Sequence, residues 1–404
     1  MTERIGVVVI GAGPAGLATS HELVQAGVEH VVLERARVAE SWRGRWDSFC
    51  LVTPNWSVQL PGGEYDGDEP DGFMPRDEVV DHLTRYAARF HAPIRERTEV
   101  TSLEPRSDGG FRLQTSGGEI VADRVVVASG AYQRSHRPPS GASLPRDVHA
   151  IDLEQYRNPA QLPEGRVLII GSGQSGCQVA EELLDDGREV FLACGRAPWA
   201  MRRIGGRDLV WWAVESGFIE QPVSELPDPS ARLLANVLAT GRDGGHDLHL
   251  RTLRASGATL LGHFIGVDGA TVRFAADLGE TVTWGDQRYA QFNDLVRRVV
   301  RERGLPMPEL PEPEPFMGEA PEQIELDGLG TIIFTGGFRP DYARWIKVPG
   351  AFDDLGFPVQ VDGASTVAPG LFFVGVHFLR KRKSSVLFGM GEDAAIVATQ
   401  VAAP

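Results

Sequence analysis

The sequence predicts an α/β protein of two similar lobes, the first interrupted by the second, and three observations carry that prediction. A strand, glycine turn, helix and strand follow one another at the N-terminus. The same unit returns near the middle of the chain. Further strand-and-turn segments, at 331–337 and 371–374, come after the second unit and have to rejoin something already built.

Taken in order, Ile5 to Ile10 is a short apolar run rich in β-branched residues, which reads as a buried strand. A glycine cluster follows at once, and a helix runs from Pro14 to about Ala26, where Gly27 stops it. Val31 to Leu33 is the next strand and ends on Glu34. Val125 to Val127 is a strand that runs into Ala128, Ser129 and Gly130, whose small side chains let a ligand approach the backbone. Asn158 to Pro163 carries Pro159 and Pro163 and reads as a hinge. The second unit is the strand Val167 to Ile170, the turn Gly171 to Gly176, the helix Gln174 to Asp186 closed by Gly187, and the strand Val190 to Ala193. Leu305 to Gln323, proline-rich and acidic, is expected to be an extended connector. Thr331 to Gly337 repeats the strand and turn, Leu371 to Val374 is a last strand, and Gly391 to Val401 a last helix. The expected division is residues 1–158 and 330–404 in one lobe and 159–329 in the other.

A length of 404 residues exceeds one compact core and suits two. The 42% hydrophobic and 24% charged fractions are those of a globular protein, neither disordered nor membrane-embedded. A formal charge of -15 argues against a nucleic-acid surface, which needs a basic face. Cys50, Cys177 and Cys194 are far apart and form no CxxC pair, which suits free thiols in a reducing cytoplasm. The first apolar run is too short for a secretory or membrane segment, so the expected location is cytoplasmic. No metal site is expected, because no pair of histidines has a convincing ligand spacing with a carboxylate or thiol. Monomer and homodimer both stay open.

Chemistry concentrates in the two glycine turns. In Gly11-Ala12-Gly13-Pro14-Ala15-Gly16, Gly11 makes the tight turn, Gly13 lets backbone approach a pyrophosphate, and Gly16 lets helix pack on strand. The helix N-terminus supplies free N–H groups to the phosphates. Glu34 stands where a Rossmann-like dinucleotide-binding domain accepts hydrogen bonds from the adenosine ribose, with Arg35 beside it. The second turn, Gly171-Ser172-Gly173-Gln174-Ser175-Gly176, has the same context but no acid after its following strand. Arg196 stands there instead, with Arg202 and Arg203 shortly beyond. Arginine holds a 2'-phosphate by charge-assisted hydrogen bonds where an acid would repel it, which favours NADPH over NADH.

With the Glu40-Ser41-Trp42-Arg43 and Arg45-Trp46-Asp47 stretch and the run Gly370 to Gly375, these motifs resemble bacterial flavin-containing monooxygenases, the class B single-component flavoprotein monooxygenases. The resemblance covers nearly the whole chain. It implies two Rossmann-like domains, FAD in a discontinuous first and NADPH in the second. Hydride would pass to the flavin, oxygen would be trapped as a hydroperoxide, and one oxygen atom would reach a nitrogen, sulfur or carbonyl of a small molecule. It also implies cofactor contacts from Trp42, Arg43, Trp46, Thr53, Met74, Val100, Ala128, Ser129, Gly130 and Ser385, and a catalytic polar group at Asn55. One departure stands out: where the family carries a Phe-x-Gly-x-x-x-His fingerprint ending on an aromatic, this chain has Arg146, Val148 and Asp152 before Tyr156. That leaves an NADPH oxidase or flavin reductase as the alternative, and a redox-sensing binding protein as the non-enzymatic one. A disulfide reductase is rejected for want of paired cysteines.

Overall fold

A computed structural model describes residues 2–316 and 320–403. In its opening strand, Glu3–Ile10, Val7 and Val9 face one apolar cluster while Val8 and Ile10 face another. A strand buried on both faces requires a sheet covered on both sides, which is the parallel sheet of an α/β protein. Glu3–Ile10 pairs in parallel with Val31–Leu33 on one side and Gly118–Val127 on the other, and Leu371–Phe373 adds beyond Gly118–Val127. The register brings Leu33, Ile10, Val127 and Phe373 level at the carboxyl ends of the strands, where ligands of open α/β sheets sit. An antiparallel meander, Val100–Pro105 and Phe111–Thr115, continues into Gly118–Val127. The helices Pro14–Gln25 and Met390–Ala402 pack together, burying Leu17, Leu23, Val397 and Val401 in one core.

The second sheet repeats the scheme with five parallel strands in the order Ala150–Asp152, Leu329–Phe334, Arg166–Ile170, Val190–Ala193, Thr259–Leu261. Val167 and Ile169 face one core, Leu168 and Ile170 another. The helix Gln174–Asp185 buries Cys177, Val179, Ala180 and Leu183. A 26-residue helix, Leu278–Arg303, was not anticipated, although Val282, Tyr289, Phe292, Val296 and Val299 carry the helical spacing that marks it.

Sheet membership moves both expected lobe boundaries. Ala150–Asp152 and Leu329–Phe334 belong to the second sheet, so that lobe begins before residue 150 and ends after residue 334. The hinge moves too. The chain crosses between lobes in a two-stranded antiparallel ribbon, Arg134–Ser135 against Phe338–Arg339. Asn158–Pro163 instead forms a short 3-10 turn whose Asn158 side chain caps Gln161 and donates to Asp47. Of the proline-rich connector, residues 317–319 lie outside the described residues; the rest before Gln323–Glu325 holds no helix or strand.

Candidate functional site

Both glycine turns open into one cleft of about 2020 Å³ between the lobes, roughly twice the upper end of ordinary small-molecule pockets at about 300–1,000 Å³. At the first turn, Gly11 has φ +106, and a Cβ there would lie 2.6 Å from the carbonyl oxygen of Ala128. A Cβ on Gly16 would lie 1.8 Å from the Gly11 oxygen, so Gly16 sets helix against strand and does not face the cleft. Gly13 is different: a Cβ there meets no protein atom within 4 Å and points at open cleft. Pro14 and Ala15 line the cleft beside it. The second turn repeats the geometry. A Cβ on Gly171 would lie 2.7 Å from the Thr335 oxygen, one on Gly176 2.0 Å from the Gly171 oxygen, and Gly173 faces the cleft. The first cradle leaves a pyrophosphate open space before Gly13, and the second repeats it with the Ala235 methyl 3.7 Å from a Cβ on Gly173.

Glu34 is buried and borders the cleft, accepting from the N–H of Ala12 at 2.8 Å and of Ala36 at 3.0 Å. It therefore fixes the turn at the edge of the cleft. Arg35, Val100, Ala128, Ser129 and Gly130 line the same cleft. Ser172 donates to the Gly195 oxygen at 2.9 Å and accepts from its N–H at 3.0 Å, bracing the second turn against the strand that leads to Arg196. Gln174 holds the backbone of Ala239 through both ends of its amide, and Ser175 borders the cleft. Arg196 is exposed at the rim. Trp42, Trp46, Thr53 and Ser385 also line the cleft, with Trp46 edge-on to Phe49 at 5.1 Å.

Besides Gly16 and Gly176, five expected residues are not at the cleft. Asn55 is 3% exposed, and its amide donates to the Glu69 oxygen at 2.9 Å and accepts from the Met74 N–H at 2.7 Å, so it ties two loops together away from the cleft. Met74 is buried beneath that junction and does not line the cleft. Arg43 turns outward to the Val38 carbonyl and Thr84. Arg202 is 1% exposed, stacks on Phe73 at 4.3 Å and pairs with buried Asp208, and Arg203 joins the same carboxylate, so neither reaches a nucleotide in the cleft. Proximity in sequence to Arg196 misled here, because the hairpin Arg203–Ile204 and Arg207–Asp208 turns both side chains away.

Sequence reasoning missed a cluster on the cleft wall. Tyr132 stacks edge-on to His377 at 5.1 Å, Arg45 lies over the Tyr132 ring at 5.4 Å, and His377 Nδ1 shares a hydrogen bond with the Ser385 hydroxyl at 2.8 Å. Burial pushes the His377 pKa down to about 4, so its imidazole is neutral at pH 7. Tyr132 follows directly on the small-residue strand end, and His377 on the last strand; both positions are signals of a strand's carboxyl end.

The basic run Arg380–Lys383 joins the lobes. Lys381 and Lys383 both pair with Glu220 of the second lobe and Glu392 of the first, and Arg380 pairs with Asp362, Glu392 and Asp393. Burial would raise the Glu392 carboxyl, but these cations hold it at about 2. Burial pushes the Cys50 thiol up to about 11 and the Cys194 thiol to about 12, and holds the Cys177 thiol well above its ordinary value. None lines the cleft, so no thiolate is placed for disulfide exchange. Among the described residues no cluster suits a metal ion, and no helix is long and apolar enough to cross a membrane.

Comparison with known proteins agrees with this geometry. Residues 8–205 match a family model described as pyridine nucleotide-disulphide oxidoreductase. The chain is 31% identical to an "uncharacterized oxidoreductase CzcO-like" of Geobacillus kaustophilus across 98% of this chain and 97% of that one. It is 30% identical to flavin-containing monooxygenase 5 of Oryctolagus cuniculus over 49% of this chain and 42% of the relative. Among solved structures, a flavin-containing monooxygenase from Stenotrophomonas maltophilia superposes with a TM-score of 0.69 at 18% identity, covering 99% of this chain and 98% of the other.

Proposed function

Because the chain belongs to the CzcO-like oxidoreductases, enzymes of the two-dinucleotide flavoprotein plan shared with flavin-containing monooxygenases, we propose that it is an NADPH-dependent FAD monooxygenase acting on a small organic molecule. The observation that carries this reading is one cleft into which two glycine cradles open, with nothing within 4 Å of a Cβ on Gly13 and the Ala235 methyl 3.7 Å from one on Gly173. FAD belongs at Gly11–Gly16 with Glu34 on its ribose, and NADPH at Gly171–Gly176 with Arg196 on its 2'-phosphate. When bound, the flavin supplies hydride acceptance and oxygen activation. The chain's own residues orient and desolvate: Trp42 and Trp46 wall the cleft, and Ser385 with neutral His377 offers hydrogen bonds at its centre without adding charge. Segment 216–237, with Phe218, Leu226, Leu233 and Val237 on the cleft, keeps water out.

Arg196→Ala is expected to raise KM for NADPH by roughly one to two orders of magnitude, the loss of one charge-assisted phosphate contact worth about 1.5–3 kcal/mol. KM for NADH should stay nearly unchanged. Steady-state kinetics with both nucleotides checks this, and equal effects on the two would remove Arg196 from 2'-phosphate recognition.

Within the altered fingerprint, Asp152 pairs with Arg137 and caps the turn Leu153–Gln155, and the hydroxyl of the retained aromatic, Tyr156, donates to Glu182 at 2.9 Å. That observation keeps an NADPH oxidase as the second reading. The experiment that separates them compares NADPH consumed with oxygenated product and hydrogen peroxide formed, across amines, sulfides and ketones. Product that accounts for most of the NADPH with at least one class supports oxygenation. Stoichiometric peroxide with every class leaves the oxidase.

A further inference from the structure

In a chain of net charge -15 the cleft is lined by arginines that outnumber its carboxylates, and Arg382 is among those that no carboxylate pairs. Within the basic run, Arg380, Lys381 and Lys383 are each neutralised by acids. Arg382 is not. Its Nη2 donates to the neutral amide oxygen of Gln221 at 2.6 Å, its Nε is buried without a hydrogen-bond partner, and no ion pair to it exists among the described residues. Burial pulls its pKa down with no carboxylate to oppose the shift, yet a guanidinium stays charged in any protein. The guanidinium carbon lies 4.2 Å from the ring centre of Phe218 and 5.0 Å from that of Phe378, and Arg382 borders the cleft. Cation–π contact offsets only part of the cost of burying an unpaired charge.

The wall beside it is apolar. Phe218 meets Phe292 edge-on at 6.2 Å, and Val237 and Leu295 pack on the same cluster and face the cleft. A fixed cation at the margin of an apolar wall matches a ligand with one anionic head and a hydrophobic body. Arg382 belongs to neither glycine cradle; it sits on the loop that carries His377 and Ser385.

We propose that Arg382 is a specificity-determining residue that binds the carboxylate of a small organic acid, whose apolar body lies along Phe218, Phe292 and Leu295. The proposal rests on the reading of the cleft as a flavin site that admits a small-molecule substrate. It narrows that substrate to an anion.

The test is binding to the oxidised FAD-loaded enzyme, followed by the change in flavin visible absorbance, so it reads out whether or not oxygen is later inserted. 4-(Methylthio)benzoate and its primary amide are matched probes that differ in charge. Wild type is expected to bind the acid about tenfold or more tightly than the amide. Arg382→Gln should bring the two within about threefold of each other, and Arg382→Lys, which keeps the charge, should retain part of the preference. Flavin content and KM for NADPH should stay at wild-type values in both variants. An acid bound no better than the amide by wild type overturns the proposal, as does an acid preference that survives in Arg382→Gln. A rise in KM for NADPH in that variant with acid binding intact assigns the arginine to a nucleotide phosphate instead. Failure of the oxygenation reading shows separately, as peroxide release in the product assay with this binding pattern unchanged.

Discussion

Gly13→Val is expected to yield a folded protein that purifies without its flavin. The expectation comes from where the added methyls go. At Gly13 a Cβ meets nothing within 4 Å, so the polypeptide tolerates the side chain, and the φ of -82 is open to any residue. The space it fills is the cleft in front of the helix N-terminus, where a pyrophosphate would lie against backbone N–H groups. Hydrogen bonds to a charged acceptor are worth about 1.5–3 kcal/mol each, so displacing two costs roughly 3–6 kcal/mol, or about two to four orders of magnitude in affinity. Gly16→Val is the instructive contrast. Its Cβ would sit 1.8 Å from a backbone oxygen, and that variant should fail to fold. The ratio of flavin absorbance to protein, with a melting curve to show the fold intact, decides the matter. A Gly13→Val protein that keeps stoichiometric flavin would remove the dinucleotide from this turn.

Arg202→Ala should destabilise the protein by about 3 kcal/mol or more, although the residue touches no ligand. Arg202 and Asp208 have side chains 1% and 3% exposed, and Nη2 stands 2.8 Å from Oδ2 without the alignment of a good hydrogen bond. Removing one partner of a buried pair strands the other charge, a cost of about 3–5 kcal/mol. Arg203, 3.2 Å from the same oxygen, recovers part of it and sets the lower end. The loss also reaches across the lobes, because Arg202 Nη1 donates to the Val52 carbonyl at 2.8 Å, next to Thr53 on the cleft wall. Urea unfolding measures the change, and Arg202→Met combined with Asp208→Leu should restore most of it. A drop below about 1 kcal/mol in the single variant would mean the carboxylate is served by Arg203 alone.

What the sequence made legible was the part of the fold that is local. A glycine turn between a β-branched strand and a helix declares itself within thirty residues, because each glycine answers a contact inside the unit. Partnership between distant strands leaves no such mark. Leu329–Phe334 has the apolar run of any buried strand, and nothing in it tells that it pairs with Arg166–Ile170 rather than with the first sheet. The same limit governed the site. Asn55 and Arg202 look like functional polar groups until the neighbours that engage them, two loops for Asn55 and buried Asp208 for Arg202, are placed around them. Tyr132 and the loop that carries His377 and Arg382 come from the two separate chain segments of the first lobe and meet only once that lobe is assembled.

The strand Leu371–Phe373 lies beside Gly118–Val127, although some 240 residues of chain separate them. On a ribosome, where the chain emerges from its N-terminus, that spacing has an order built into it. The second lobe has all five of its strands outside the exit tunnel once Phe334 has passed. The first lobe must wait, with the Val125-Val126-Val127 edge uncovered and the helix Pro14–Gln25 lacking its partner Met390–Ala402, until translation is nearly finished. An open apolar strand edge is a template for pairing with other chains. The nascent protein therefore carries its greatest aggregation hazard through the whole synthesis of the second lobe, and a premature stop anywhere before residue 371 leaves that edge exposed for good.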